Sequence, residues 1–210
     1  MGLFIVFEGC EGCGKSTQAR TLYRRLCSQE IPAVLTFEPG GTVLGNRIRK
    51  ILKNRGSTLI CSETELFLFA ASRIQLITEV IRPALQRGKV VICDRFSPST
   101  LAYQGYGRKL PLSTVELINN LAVKNITPDI NILLDISPEE GLARRFNSRD
   151  SFESMDLQFH HRVREGYLKI ASVDPDRWEV IDASLPRKQI TNLIWGKIGD
   201  LLKKNKYSLR

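Results

Sequence analysis

Eight residues near the start of the chain have the types and spacing needed to bind a nucleoside triphosphate. They read GCEGCGKS and match the phosphate-binding pattern G-x-x-x-x-G-K-[S/T]. The glycines let backbone N–H groups surround phosphate oxygens, and a helix beginning after the loop adds partial positive charge. Lys15 is expected to reach the β- and γ-phosphates, and the Ser16 hydroxyl to hold Mg²⁺. The predicted triphosphate-binding residues are Gly9, Cys10, Glu11, Gly12, Cys13, Gly14, Lys15, Ser16 and Thr17.

A glycine-rich turn without function is the alternative for this loop. The apolar run 3–7 before it has the length of a buried strand, and the stretch 17–28 after it is compatible with a helix. This strand–loop–helix context favours phosphate binding.

A second candidate follows another apolar run. Residues 90–93 are apolar and precede Asp94, which is the form of a Walker B strand whose carboxylate holds Mg²⁺ beside Ser16. An ordinary aspartate at a strand end would be the default interpretation of Asp94 alone. Because the chain also contains the phosphate loop, metal binding is the favoured interpretation of Asp94.

The arginines indicate what accepts the phosphoryl group. Arg95 directly follows Asp94, and a guanidinium offers a rigid pair of donors to phosphate oxygens. An acceptor that is already a phosphate needs clamping and charge neutralisation rather than a general base. Arg49, Arg73 and Arg95, with no evident base and orienting partner, therefore favour a nucleoside monophosphate as acceptor.

The elements that must position these residues alternate along the chain. Apolar runs predict strands at 3–8, 33–37, 89–94, 129–136 and 178–181, and helical patterns lie at 14–28, 44–53, 63–86, 113–124, 138–146, 153–172 and 186–204. This alternation predicts an α/β fold with a parallel sheet covered on both faces, in one domain over residues 1–210. Ligands of such sheets bind beyond the carboxyl ends of the strands.

Composition is that of an ordinary globular protein, with 42% hydrophobic and 25% charged residues. The apolar stretches are too short to span a bilayer and no secretory signal is evident, which predicts a cytoplasmic protein. The net charge is +9, partly from a basic stretch at 196–210. A solvated helix end accounts for that stretch, and binding to nucleic acid or a membrane is not expected.

Cysteine and histidine usage does not predict a thiolate metal site. Cys10 and Cys13 form a C-x-x-C, but both lie in the phosphate loop without a second Cys/His pair. Beside Lys15 at a helix start, these thiols are expected to have a depressed pKa and to be oxidised easily. The remaining cysteines, Cys27, Cys61 and Cys93, are interpreted as buried apolar residues, and His160-His161 as helix surface.

The chain resembles the thymidylate kinase family, most closely its bacterial type. The resemblance runs from Phe4 to about Leu185. It rests on residues 7–9 (FEG), 38–42 (EPGGT), 68–73 (LFAASR), 94–96 (DRF), 99–105 (STLAYQG), 128–129 (PD) and 163–168 (VREGYL). It implies a three-layer α/β/α P-loop nucleoside monophosphate kinase fold with a parallel five-stranded sheet and a helical lid. It also implies transfer of the γ-phosphate of ATP to dTMP, with Mg²⁺, by a homodimer that supplies dTDP for dTTP synthesis.

The resemblance also implies residue roles. Glu11 would accept the deoxyribose 3′-OH, and Tyr103 would disfavour a ribose at the 2′ position. Phe69 would stack on thymine and Arg73 would donate to its O4, although a core Phe and a surface Arg are the default without the other motifs. The other implied contacts are Arg49 and Arg95 to the acceptor phosphate, Ser99, Thr100 and Gln104 to the base edge, and Glu38 and Pro39 at the pocket floor.

A lid over ATP is implied at about 144–153. Members without an arginine in the phosphate loop, where this chain has Gly12, carry catalytic arginines in the lid. Ser151 stands where such an arginine is expected. Arg149 is the first candidate to replace it, and Arg145 and Arg144 follow.

A second departure from the family is Phe37, where bacterial members often have an arginine. The change removes one possible phosphate contact.

Three alternatives stay open at this point. The chain could be another deoxynucleotide kinase or a deoxynucleoside kinase. A P-loop regulatory GTPase is disfavoured because no Asn-Lys-x-Asp run is present. A nucleic-acid-stimulated ATPase is suggested by the charge alone.

Overall fold

The computed structural model describes residues 2–53, 60–144, 155–205 and 207. Within them, five parallel strands form one sheet in the order β2-β3-β1-β4-β5. The strands are β1 (Phe4–Glu8), β2 (Ala33–Phe37), β3 (Val90–Asp94), β4 (Ile130–Asp135) and β5 (Trp178–Asp182). The expected parallel sheet is confirmed, and the central position of β1 places the loop after it between the ends of its neighbours.

The connections between strands are helical. The α-helices are α1 (Lys15–Ser28), α2 (Val43–Lys53), α3 (Ser62–Leu76), α4 (Arg82–Gln86), α5 (Ser97–Thr100), α6 (Leu112–Val123), α7 (Pro138–Ala143), α8 (Leu157–Val173) and α9 (Arg187–Lys204). Two π-helical segments, Ile77–Ile81 and Leu101–Gly107, and a 3₁₀ turn, Pro175–Arg177, join them.

Alternate residues of the central strand face opposite layers. Ile5 and Phe7 of β1 pack in a cluster with side chains of α1 and α9. Phe4 and Val6 pack in another, which contains Leu76 and residues from the π-helical segment after α3. Successive side chains of a strand point to opposite faces. The sheet is therefore buried on both sides, as its continuous apolar strands predicted.

The single helix expected over 63–86 contains a π-helical turn at Ile77–Ile81. Pro83 lies in the first turn of α4, directly after it. A proline in a helix interior cannot donate its backbone hydrogen bond and clashes with the preceding turn, and a wider turn relieves both problems.

The helical segment over 97–107 was missed in the sequence, because Pro98, Gly105 and Gly107 suggest a loop. Pro98 lies in the first turn of α5, where its missing N–H costs nothing. Tertiary contacts stabilise the remainder of this helical segment. The Tyr103 ring, for example, packs edge-on against Phe159 of α8 at a centroid distance of 6.1 Å.

Helix α8 begins at Leu157, not at residue 153 as its pattern predicted. The reason is the cap, because an Asp156 carboxylate oxygen accepts a hydrogen bond of 2.6 Å from the backbone N–H of Phe159.

Three expectations about burial were wrong: Cys27 and Cys61 were expected to be buried, and His160 was expected on the surface of its helix. Cys27 and Cys61 are exposed, whereas Cys93 is buried as expected. His160 is buried on the inner side of α8, while His161 is exposed. Among the described helices, none is long and apolar enough to cross a membrane.

Candidate active site

A cavity of about 550 Å³ opens at the carboxyl ends of the central strands. The sequence-predicted residues that line it are Glu11, Gly12, Gly14, Lys15, Ser16, Thr17, Glu38, Pro39, Arg49, Phe69, Arg73, Asp94, Arg95, Ser99, Thr100, Tyr103, Gln104 and Arg144. Gly9, Cys10 and Cys13 belong to the same loop but are not among the lining residues. The fold thus brings the expected donor and acceptor sides into one space.

The phosphate loop runs from the end of β1 to the start of α1. The Lys15 ammonium is buried and donates a hydrogen bond of 2.7 Å to the carbonyl oxygen of Cys10. Gly9 has φ +138°, and a Cβ there would overlap the carbonyl oxygen of Leu134. Only glycine fits this position without displacing β4.

Two oxygen-bearing side chains meet at the mouth of the loop. The Ser16 hydroxyl donates to a carboxylate oxygen of Asp94. Ser16 lies in the first turn of α1, after β1, and Asp94 ends β3, so the adjacent parallel strands β1 and β3 bring the two groups together. Hydroxyl and carboxylate oxygens are the ligands that Mg²⁺ prefers. The pair therefore fits the expected metal.

Gly12 leaves no room for a side chain in the loop. Its φ is +72°, and a Cβ would overlap the carbonyl oxygen of Gly141 on α7. An arginine at this loop position would require α7 to move. The structure therefore does not accommodate an arginine at this loop position without rearrangement.

Arg95 is held from several sides by the surrounding elements. One terminal nitrogen donates to a carboxylate oxygen of Glu11 at 2.6 Å and to the Tyr103 hydroxyl at 3.0 Å. The other donates to the Gly9 carbonyl at 3.1 Å, and to the hydroxyls of Ser99 at 3.2 Å and Tyr167 at 3.0 Å. The guanidinium is therefore oriented toward the phosphate loop before any ligand binds.

Glu8 supports this arrangement, and the sequence analysis gave it no role. Its fully buried carboxylate accepts hydrogen bonds from the Phe96 backbone N–H at 2.8 Å, the Ser99 hydroxyl at 2.6 Å and the Tyr167 hydroxyl at 2.8 Å. Burial raises the pKa of Glu8, and the positive charge of Arg95 opposes that rise. The hydroxyls of Ser99 and Tyr167 each accept a hydrogen bond from Arg95 and donate one to Glu8, so they connect the two charged side chains. The sequence signal that could have identified Glu8 is its position, because it is a carboxylate at the end of the apolar strand β1.

Glu11 and Tyr103 meet at the edge of the cavity. The Tyr103 hydroxyl donates to a Glu11 carboxylate oxygen at 3.0 Å. The resemblance assigned these residues to neighbouring carbons of one deoxyribose, and that assignment stays a prediction.

A buried ion pair forms the floor beneath Phe69. The Arg73 guanidinium lies 2.8 Å from a carboxylate oxygen of Glu38, and both side chains are nearly inaccessible. Arg73 also donates to the side chains of Asn119 at 2.7 Å and Thr100 at 2.8 Å. Burial raises the pKa of Glu38 to about 7 although Arg73 opposes the rise. Arg73 is thus a core residue with a lining face, not the exposed arginine of the default interpretation.

Arg49 reaches the cavity from α2. It donates a hydrogen bond of 2.9 Å to the Pro39 carbonyl, and its guanidinium carbon lies 5.1 Å from the centre of the Phe37 ring. Phe37, one of the departures from the family, therefore packs against a neighbouring cation of the cavity.

Arg144 is the described candidate from the lid. It donates a hydrogen bond of 2.9 Å to the carbonyl of Ala183, just after β5, and it lines the cavity. Arg145, Arg149 and Ser151 lie outside the described residues.

The expectation of an acidic, reactive thiol at Cys10 was wrong. Cys10 is buried, and burial raises its pKa to about 12, with Lys15 opposing that effect only in part. Cys13 is buried as well. The apolar environment of Cys10 disfavours its thiolate, and the thiolate is the reactive form.

Comparison with known proteins places these features in one family. The family model described as "Thymidylate kinase" matches residues 7–194. A thymidylate kinase from Dehalococcoides mccartyi is 50% identical over 203 residues, covering 96% of this chain and 98% of the relative. One from Geobacter sulfurreducens is 47% identical over 192 residues, covering 88% and 90%. The crystal structure of thymidylate kinase from Ehrlichia chaffeensis superposes with a TM-score of 0.74 at 34% identity, covering 94% of this chain and 98% of that one.

Proposed function

We infer that the cavity holds two nucleotides end to end. The chain belongs to the thymidylate kinase family, and it phosphorylates dTMP to dTDP with ATP. The triphosphate occupies the loop at residues 9–17, whose backbone N–H groups and Lys15 bind the phosphate oxygens. The convergence of this loop and Arg95 on one cavity is the observation that carries the assignment.

Ser16 and Asp94 would hold the Mg²⁺ that accompanies ATP. Their side-chain oxygens already converge, and they supply the hydroxyl and carboxylate expected of such a site. When bound, the metal neutralises charge on the β- and γ-phosphates. The protein contributes the fixed orientation of the two oxygens.

Arg95 and Arg49 would grip the dTMP phosphate opposite the triphosphate. Their guanidinium groups line the same cavity, and Arg95 is held rigidly by Glu11, Tyr103 and the Gly9 carbonyl. Two anions brought close together need this neutralisation, and the positioning of the acceptor oxygen supplies much of the catalysis.

The remaining lining residues would bind the nucleoside. Glu11 and Tyr103 lie at the position of the deoxyribose. Phe69 would stack on thymine, and Arg73 would donate to O4 from its buried position. Glu38, Pro39, Ser99, Thr100 and Gln104 complete this side of the cavity.

The lid at about 144–153 would close over ATP as part of a single domain spanning residues 1–210. Arg149 is the first candidate for the catalytic arginine, followed by Arg145 and Arg144. The collision that a side chain at Gly12 would make with α7 supports a source outside the phosphate loop.

A homodimer would form through α3 and α6. These helices pack against each other, and they expose Phe67, Leu117 and Leu121 to 60%, 61% and 68%. Apolar side chains exposed in a group are typical of an interface.

The cytoplasm stays our prediction for location, since the five unpaired cysteines are typical of a reducing compartment.

A competition assay tests the assignment. Purified protein is given ATP, Mg²⁺ and an equimolar mixture of dTMP, dUMP, dGMP and thymidine, and the products are separated by chromatography. We expect dTDP to be the main product. Preferential phosphorylation of thymidine, or ATP hydrolysis that does not depend on any acceptor, would contradict it.

A further inference from the structure

A fully buried glutamate lies behind the base side of the cavity. Glu65, in the first turn of α3, has no exposed surface. Arg108 approaches it with a forked geometry, its Nε donating to one carboxylate oxygen at 3.3 Å and a terminal nitrogen donating to the other at 3.1 Å. The Gln104 side-chain N–H group donates to the first of these oxygens at 2.8 Å.

This contact fixes which end of the Gln104 amide faces the cavity. A carboxylate paired with an arginine only accepts hydrogen bonds, so the amide must turn its NH₂ group toward Glu65. The amide oxygen then points away from Glu65. Gln104 lines the cavity, and among the described residues no donor reaches this oxygen. The side chain therefore offers a hydrogen-bond acceptor to the ligand.

Glu65 is itself held in place. The Arg108 guanidinium carbon lies 5.3 Å from the centre of the Phe159 ring, and a terminal nitrogen lies 3.3 Å from the Met155 sulfur. Rotation of Glu65 away from Gln104 would break the forked ion pair that the fully buried Glu65 carboxylate makes with the partly buried Arg108, which is costly. The carboxylate is thus a rigid reference for the amide.

We propose that Glu65 determines base specificity by holding the Gln104 amide with its oxygen toward the base. This rests on the proposed binding of dTMP in the cavity. Thymine and uracil present an N–H donor at N3, whereas cytosine presents a lone pair there. An oxygen from Gln104 accepts from the first two bases and repels the third. Glu65 is a positioning residue that acts through Gln104.

Glu65→Gln tests this because the introduced amide can donate as well as accept, so both orientations of Gln104 become possible. We expect the ratio of kcat/KM for dCMP to that for dTMP to rise about tenfold, the effect of relieving one unmatched buried hydrogen-bonding group. The ratio of dUMP to dTMP should not change, since these bases share the same N3–H. Glu63→Gln, on an exposed residue of the same turn, is the matched control and should change neither ratio.

A double-mutant cycle separates positioning from general loosening. Gln104→Met removes the amide at similar volume, and adding Glu65→Gln to it should not change the dCMP ratio further. Glu65→Asp keeps the charge opposite Arg108 but shortens the reach to Gln104, and it gives the same test if Glu65→Gln fails to fold. A folded Glu65 variant with the wild-type dCMP ratio would overturn the proposal. Wild-type protein that does not phosphorylate dTMP would instead contradict the proposed function.

Discussion

Single side chains in this cavity are oriented by protein partners. Arg95 donates to five acceptors, and Arg73 is anchored by Glu38, Asn119 and Thr100. Groups that are already oriented need little rearrangement when charge develops in the transition state. The charged residues of the site are therefore held by neighbouring side chains, and Glu8, which accepts from the two hydroxyls that contact Arg95, is the clearest example.

Arg149→Ala should lower kcat strongly with little effect on nucleotide binding. An arginine that stabilises the transferring phosphoryl group can contribute on the order of 10³-fold or more, and it acts mainly in the transition state. Steady-state kinetics with varied ATP would show a large loss in kcat and an ATP KM that is nearly unchanged. Arg177→Ala, on an exposed arginine, is the control. Unchanged turnover would remove Arg149 from the mechanism and leave Arg145 and Arg144 as candidates.

The buried Glu38 should make stability depend on pH. Its pKa rises on folding from 4.5 to about 7 because of burial, so the folded state binds a proton more tightly than the unfolded state. Its stabilising contribution is complete below about pH 4.5 and is lost as the pH rises through about 7.

Glu38→Gln cannot titrate at this position and isolates the effect. We expect wild-type protein to lose about 1–3 kcal/mol of unfolding free energy relative to the variant between those two pH values. Urea unfolding of both proteins across the range measures this difference. Parallel pH profiles would show that Glu38 keeps its ordinary pKa in the folded protein.

Among the elements, the contact between the phosphate loop and α7 has the tightest geometry. A Cβ on Gly12 would overlap the carbonyl oxygen of Gly141, and a Cβ on Gly141 would overlap the carbonyl oxygen of Glu11. α7 starts after β4, capped by the Ser137 hydroxyl, which accepts from the Glu140 N–H at 3.2 Å. The contact connects the loop to the element that leads into the lid region.

Gly12→Ala should disturb both the loop and α7. The positive φ alone costs about 1 kcal/mol for a residue with a Cβ, and the overlap with Gly141 adds to this. Gly88→Ala is a matched control, because Gly88 has φ +70° but no atom within 4 Å of a built Cβ. We expect Gly12→Ala to lose more unfolding free energy than the control in urea titrations and to raise the ATP KM. Equal losses of unfolding free energy in the two variants would mean that α7 shifts to accommodate the added Cβ at little cost.

At the scale of the whole molecule, α3 and α6 expose the apolar side chains through which we propose that a homodimer forms. Phe67, Leu117 and Leu121 lie on helices that contribute Arg73 and Asn119 to the buried ion-pair network. An interface over these helices would stabilise the base side of the cavity from behind.

Leu121→Glu should shift the protein from dimer to monomer. A charge placed in an apolar interface must be desolvated on association, which disfavours the dimer. Sedimentation velocity at equal protein concentrations measures the change. Val173→Glu, at a position 84% exposed on the end of α8, is the control and should remain dimeric. A monomeric wild-type protein would contradict the proposed homodimer.

Local patterns were sufficient for the catalytic framework. The phosphate loop, the Walker B aspartate and the five strands follow from glycine sterics and from apolar runs a few residues long. The cavity also collects all of the described residues expected to bind the acceptor, because the carboxyl ends of parallel strands share one edge.

The supporting network required the folded chain. Tyr167 and Glu8 are 159 residues apart and form a buried hydrogen bond, and Glu65 and Arg108 are 43 residues apart and form partly buried ones. Burial also reversed the expected acidity of Cys10 and placed His160 inside the protein. Amino-acid types and short spacings therefore specified which chemistry is possible, whereas desolvation and long-range pairing decided which side chains carry a charge and in which direction they point.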